Sequence, residues 1–212
     1  MLDALHDAGV SPEEPAVQRA LLFVTRAQNL KSTNNAAWAQ TGRNDGGFIY
    51  TPANGGESMA SEYAGEGRYG ELLEDSAARS LRSYGSMTYA GFKSLLYAGL
   101  TRDDPRVKAA WNWARQHWGF DENPGLGQQG RFYYLHAMSR ALVAAQQAQI
   151  TTPDGEVQDW RAELIDTLTE DQRPDGAWVN STPRWLESEA VLTTIYAILA
   201  LEEALKPTIL SD

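Results

Sequence analysis

Cysteine is absent from this chain of 212 residues. That omission excludes disulfides, thiolate metal sites and cysteine nucleophiles together. Histidine is nearly as scarce: His6, His117 and His136 are the three present, none is spaced from another as metal ligands are, and neither a metal nor another cofactor is expected. Basic residues are in the minority, 18 Lys and Arg against 28 Asp and Glu, giving a formal net charge of −10. A phosphate polyanion is repelled by that balance and no basic run offsets it, so nucleic acid is not expected as a partner. No stretch reaches the roughly 18 continuous apolar residues of a membrane span. The longest apolar helix, near Ala190 to Leu201, is interrupted by Thr193 and Thr194. The segment Met1 to Val10 holds Asp3, His6 and Asp7 and no apolar block, so no signal peptide is read there and the compartment stays open.

What is present is a core-building composition: 42% hydrophobic residues, with 7 Trp, 9 Tyr and 5 Phe, in a length that suits one domain over 1–212. The chain repeats itself. Ala8-Gly9-Val10-Ser11-Pro12-Glu13-Glu14-Pro15-Ala16-Val17 aligns without a gap on Ala98-Gly99-Leu100-Thr101-Arg102-Asp103-Asp104-Pro105-Arg106-Val107. In both, a helix ends at a glycine suited to the left-handed cap, and the next helix opens on proline. Three outer helices follow from apolar stripes at helical spacing: Val17, Leu21 and Val24; then Val107, Ala110, Trp111, Ala114 and Trp118; then Trp160, Leu164, Ile165 and Leu168. Each precedes a more apolar inner helix, over about 84–98, 131–147 and 187–205. Glycine-rich loops join the pairs: Asp45-Gly46-Gly47-Phe48, Asn123-Pro124-Gly125-Leu126-Gly127 and Asp175-Gly176-Ala177-Trp178. The first is expanded by a polar excursion over 51–83, expected to lie over one end of the hairpins and outside the core.

The third loop is the most telling. Gln172 closes a helix, Asp175-Gly176 supplies a turn in which glycine takes positive φ, and Trp178 can lay its ring over the Gln amide with its N–H left available. By the internal alignment, Met1 to Gly9 matches only the last turns of an inner helix. The expectation is therefore a C-terminal part of a longer chain, or a homodimer covering the open end of the stack.

These residues carry a family resemblance. Gln172, Asp175, Gly176 and Trp178, the weaker Asp45-Gly46-Gly47-Phe48, and the segments Ser83-Tyr84-Gly85-Ser86-Met87-Thr88-Tyr89-Ala90-Gly91 and Asn123-Pro124-Gly125-Leu126-Gly127-Gln128-Gln129-Gly130 resemble the prenyltransferase and squalene-oxidase repeat proteins, in particular a bacterial branch of that superfamily of squalene–hopene cyclases. The resemblance implies an all-α fold, an α/α toroid-type stack of about three inner/outer pairs forming part of a ring. It does not imply an activity. The acidic Asp-x-Asp-Asp motif with which the cyclases protonate an alkene is missing; Asp103-Asp104, just before Pro105, reads as helix capping. The zinc set of the protein prenyltransferases and the thioester of complement-like domains both need a cysteine this chain lacks.

Aligned inner helices bring Tyr89, His136 and Tyr196 to one level, with Tyr84, Arg131, Tyr133, Tyr134, Arg184, Trp185 and Glu187 around them. Such an aromatic set with a few polar groups suits an apolar or isoprenoid-like small molecule. Tyr84, Tyr89, Tyr134, Arg184, Trp185 and Glu187 are the expected ligand-binding residues, and Gln172, Asp175, Gly176 and Trp178 the structural motif. Glu187 also reads as complementing the dipole of its own helix. His136, Tyr133 and Arg131 are the candidates for acid–base chemistry. The expected role is binding or scaffolding without a complete catalytic motif. The alternatives are a polysaccharide lyase-like enzyme using Tyr, His and Arg, or an isoprenoid cyclase whose acidic motif lies in a missing N-terminal part.

Overall fold

An acidic side chain caps two of the long helices, whereas Glu14, ahead of the helix over Pro15–Ala27, makes no such bond. Asp104 accepts the Arg106 backbone N–H (2.9 Å) ahead of a helix over Pro105–Gln116, and Asp159 accepts those of Arg161 and Ala162 (3.1 and 3.3 Å) ahead of one over Trp160–Asp171. In the computed structural model, which describes residues 1–60 and 81–207, the chain is built from α-helices: α1 Leu2–Asp7, α2 Pro15–Ala27, α3 Ala37–Thr41, α4 Gly85–Tyr97, α5 Pro105–Gln116, α6 Arg131–Ala144, α7 Trp160–Asp171 and α8 Ala190–Leu205. A two-residue hairpin, β1 Ile150–Thr151 against β2 Val157–Gln158, lies in the α6–α7 connection. Part of the polar excursion, residues 61–80, lies outside the described residues. Its first residues are partly or fully exposed, but Ser58, Met59, Ala60 and Leu81 are buried, which corrects the expectation that the whole excursion stays out of the core.

Helices α4, α6 and α8 lie side by side with α6 in the middle; α1, α2 and α5 pack on α4, and α7 packs on α8. The helix ends reveal the repeat most clearly. At the end of α1, Gly9 (φ +70°) donates to His6 O and Val10 to Leu5 O; at the end of α4, Gly99 (φ +87°) donates to Leu96 O and Leu100 to Leu95 O. The end of α6 makes the same pair of bonds, Gln146 to Val143 O and Gln147 to Leu142 O, although Gln146 must take φ +52° without glycine's freedom. Thus α1, α4 and α6 terminate as equivalent helices.

Two clasps hold outer to inner helices. In the first, Gln28 donates to Gly46 O (2.9 Å) and the Phe48 N–H donates to Thr88 Oγ1 (3.1 Å). In the second, Gln172 donates to Gly176 O (2.9 Å) and the Trp178 N–H to Thr194 Oγ1 (3.1 Å). Gly46 and Gly176 both take positive φ, and Asp45 and Asp175 both accept the backbone N–H two residues on. Trp178 is 6% exposed and its ring N–H is not free: it donates to Leu168 O at the end of α7 (2.7 Å). The core runs along the inner row, where Tyr134, Leu135, Met138 and Leu142 of α6 are fully buried, and continues outward through Trp160, Leu164 and Leu168 of α7. Trp113, outside the stripe expected for α5, is buried as well because Gly47 lies against its ring.

Candidate functional site

One group of side chains on α6 and α8 stays partly exposed. Tyr133, His136 and Arg140 stand one turn apart along α6, and Tyr196 of α8 completes the group. The Tyr196 ring meets Tyr133 edge-on at 5.6 Å and lies stacked against His136 at 6.1 Å. Tyr133 is 36% exposed and His136 is partly buried. Further along the same face, Lys93 of α4 pairs with Asp3 of α1 (2.7 Å), Arg140 reaches Asp3 (3.5 Å) and Glu203 of α8 (3.6 Å), and Lys206 reaches Glu203 (2.7 Å). The face therefore has an aromatic part and a charged part, with His136 between them.

Its electrostatics keep the aromatic part neutral. Burial, reinforced by the Arg140 and Lys93 charges, lowers the His136 pKa to about 4, against the smaller opposing pull of Glu203 and Asp3. The Nδ1 atom of His136 is buried without a hydrogen-bond partner. Burial raises the phenol pKa of Tyr133 and of Tyr196, so both keep their protons near neutrality. The group offers ring faces, two O–H donors and one neutral imidazole. A general base working near pH 7 needs a pKa far above that of this imidazole.

The other expected site residues fall elsewhere. Tyr89 and Tyr134 are core residues, 1% and 0% exposed, packed ring to ring at 5.8 Å between α4 and α6; the Tyr134 hydroxyl donates to Gly119 O (2.7 Å). Tyr84 is buried with Met59, Ala60 and Leu126, and burial raises its pKa strongly. Arg131 does not join His136: its guanidinium bonds Phe120 O (2.7 Å) and pairs with Asp171 at the end of α7 (2.6 Å). Arg184 stacks on Trp185 at 4.4 Å and donates to Gln129 Oε1, while Trp185 takes left-handed backbone angles against Gly130.

Glu187 holds the largest surprise. It is 1% exposed and caps a different helix from the one it precedes, accepting from the backbone N–H of Tyr133 (2.8 Å) and Phe132 (3.4 Å) at the start of α6, and from Asn180 Nδ2 (2.7 Å). Asn123 does the same for α4, accepting from the Ser86 N–H at 3.0 Å. Helices α4 and α6 are thus each capped from the loop ahead of the next inner helix. Sequence reasoning missed the charged part of the face, although a signal was there: Lys93 and Arg140 occupy the same repeat position, offset as Tyr89 is from His136.

No family model, curated protein or solved structure matches the chain. The described residues contain no cluster of His, Asp and Glu arranged to hold a metal ion, and no helix among them is long and apolar enough to cross a membrane.

Proposed function

We propose that this chain is a segment of an α/α toroid that binds an apolar, isoprenoid-like small molecule on its inner face and has no complete catalytic set of its own. The observation that carries the reading is the Tyr133–Tyr196–His136 group, in which the Tyr196 ring meets both of the others on a partly open face and all three rings are neutral. Stacked ring faces bind flat or unsaturated apolar groups, and the phenol hydroxyls and imidazole fix a polar end such as an alcohol. The charged part of the face, where acids and bases largely pair with each other, favours a ligand without strong net charge.

A lyase-like proton abstraction finds little support. His136 stays unprotonated but is too weakly basic to serve near neutrality, and Arg131 is tied to Asp171. The test uses the scarcity of histidine. Ring resonances of His6, His117 and His136 are followed by NMR while farnesol, an isoprenoid alcohol, is added, with a linear glucan oligosaccharide in a second titration. Farnesol is expected to shift the His136 signals and leave those of His6 and His117 in place, and Tyr196→Ala is expected to weaken binding about tenfold. Glucan binding without farnesol binding, or turnover of either compound, rejects the proposal.

A further inference from the structure

The first clasp does more than join its own hairpin. Besides bonding Gly46 O, the Gln28 amide donates to Arg106 O (2.8 Å) in the first turn of α5. The two glycines after Asp45 lie so close to that helix that a Cβ on Gly46 would sit 2.6 Å from Ala109 O, and one on Gly47 2.9 Å from the Trp113 ring. A clasp is therefore also the seat for the next outer helix. Among the described residues the second clasp has no such occupant. Gln172 bonds Gly176 O but no carbonyl equivalent to Arg106 O, Gly176 faces open space, and both residues are exposed.

At the other end of the molecule the reverse holds. Pro15-Ala16-Val17 of α2 is the register equivalent of Pro105-Arg106-Val107 of α5, yet no clasp among the described residues seats it. Phe23, the equivalent of Trp113, is 51% exposed where Trp113 is 2% exposed. Phe23 borders a cleft of about 400 Å³ with Met1, Leu2, Ala20, Val24 and Ala90. Among the described residues, one clasp lacks a helix and one helix lacks a clasp. The facing residues also change in step: glycine meets tryptophan in the internal contact, whereas Ala177 stands where Gly47 does and Phe23 where Trp113 does, a larger residue against a smaller one.

The inner row ends in the same way. Setting Thr194 on Thr88, the two hydroxyls that receive the clasps, places Val191, Ile195 and Ile198 of α8 at the positions of Gly85, Tyr89 and Phe92, which are buried on α4. On α8 these three are 76%, 47% and 46% exposed. Charge matches too. Helix α2, which follows directly on exposed Glu13 and Glu14, itself contains no acidic residue, and its Arg19 and Arg26 are exposed without ion-pair partners among the described residues. Helix α8 contains exposed Glu202 and no basic residue, and it follows directly on exposed Glu189.

We propose that a second copy of this chain docks head to tail, with α2 of one molecule seated on the Gln172–Trp178 clasp and the α8 face of the other. In that contact Gln172 donates to the Ala16 carbonyl of the second copy, as Gln28 does to Arg106 O internally. The inference does not depend on what the inner face binds. A contact between two different surfaces repeats, so it closes into a ring or extends; the smallest closed product is a dimer with two such contacts.

Light-scattering mass of the chain across a wide concentration range tests the existence of the contact, and variants test its geometry. Phe23→Glu and Ile198→Glu should each give folded monomers by circular dichroism, and mixing the two should restore association through the one contact left intact. The cysteine-free background allows a direct check: Phe23→Cys and Ala177→Cys chains, mixed and oxidised, should form an intermolecular disulfide that neither forms alone. A wild-type chain that stays monomeric at all concentrations overturns the proposal. So does dissociation by Ile198→Glu with no effect of Phe23→Glu, since the α8 faces would then be meeting each other.

Discussion

Helices α6 and α8 occupy equivalent places in the repeat and differ in what surrounds them. On α6, Phe132, Tyr134, Leu135, Met138 and Leu142 are all buried, because α4 covers one side and α8 the other. The sequence of α8 is the more apolar of the two, yet Val191, Ile195, Ile198, Leu199 and Leu205 are exposed. Burial in a stacked fold is thus a property of position in the stack, and the hydrophobicity of a helix records how many neighbours it is built to have. The helix starts repeat the contrast. The Glu187 side chain caps α6, whereas α8 has no side-chain cap at Glu189.

Truncating one apolar residue on each helix should affect the two very unequally. Leu135→Ala, at a fully buried position, is expected to destabilise by about 3–4 kcal/mol in urea unfolding. Ile198→Ala, measured in the monomeric Phe23→Glu background, should fall within about 0.5–1 kcal/mol of its parent. Equal losses would show that α8 is covered within a single chain. Glu187→Ala comes next. It removes one of the two acceptors of Asn180 Nδ2, which keeps Gln128 O, and the acceptor of the first N–H groups of α6, so a loss of about 2–3 kcal/mol is expected, with amide exchange at Phe132 and Tyr133 accelerating before that of α8. Uniform acceleration across both helices would argue against a local cap.

Much of this contrast could be anticipated from the sequence and part could not. The inner helices expected over about 84–98 and 131–147 are found over Gly85–Tyr97 and Arg131–Ala144, since apolar periodicity and glycine caps are local signals. The third begins at Ala190 and not near Glu187, because Glu189 is extended (φ −83°, ψ 110°) and interrupts the helical path between them. The second clasp was legible because Gln172 and Gly176 are close in sequence, whereas Gln28 reaches Gly46 across an intervening segment that contains α3. Roles that depend on register between hairpins were invisible for the same reason. Nothing local to Glu187 says that it will cap α6, and nothing local to Tyr89 and Tyr134 says that they will face each other in the core and not a ligand.

The face around His136 supplies a smaller and pH-dependent effect. Folded His136 has a pKa of about 4, against an ordinary value of 6.5. As pH falls below 6.5 the unfolded chain takes up a proton that the folded chain refuses, so stability drops through that interval and the difference is complete near pH 4. With the ring partly exposed, we expect this single group to remove about 1–2 kcal/mol over the interval. Carboxylates titrate in the same range, so the readout is the difference between wild type and His136→Gln. The variant should lose less stability on acidification, and parallel curves would show that the imidazole titrates normally on an open face.

The smallest expected effect concerns the end of α6, where the repeat departs from its own rule. Gly9 and Gly99 take the left-handed cap at no steric cost, but the third copy places Gln146 there at φ +52°. Its side chain makes no hydrogen bond among the described residues that could offset the strain. Gln146→Gly should therefore stabilise the protein by about 0.5–1 kcal/mol, the relief of the left-handed residue exceeding the extra freedom glycine gives the unfolded chain. Gly99→Gln, the converse change at the end of α4, should destabilise by more, because a Cβ on Gly99 would approach Pro12 to 2.7 Å. Thermal unfolding of the two variants sets one cap against the other, and a stabilising Gly99→Gln would mean that the ends of α4 and α6 are not held in the same way.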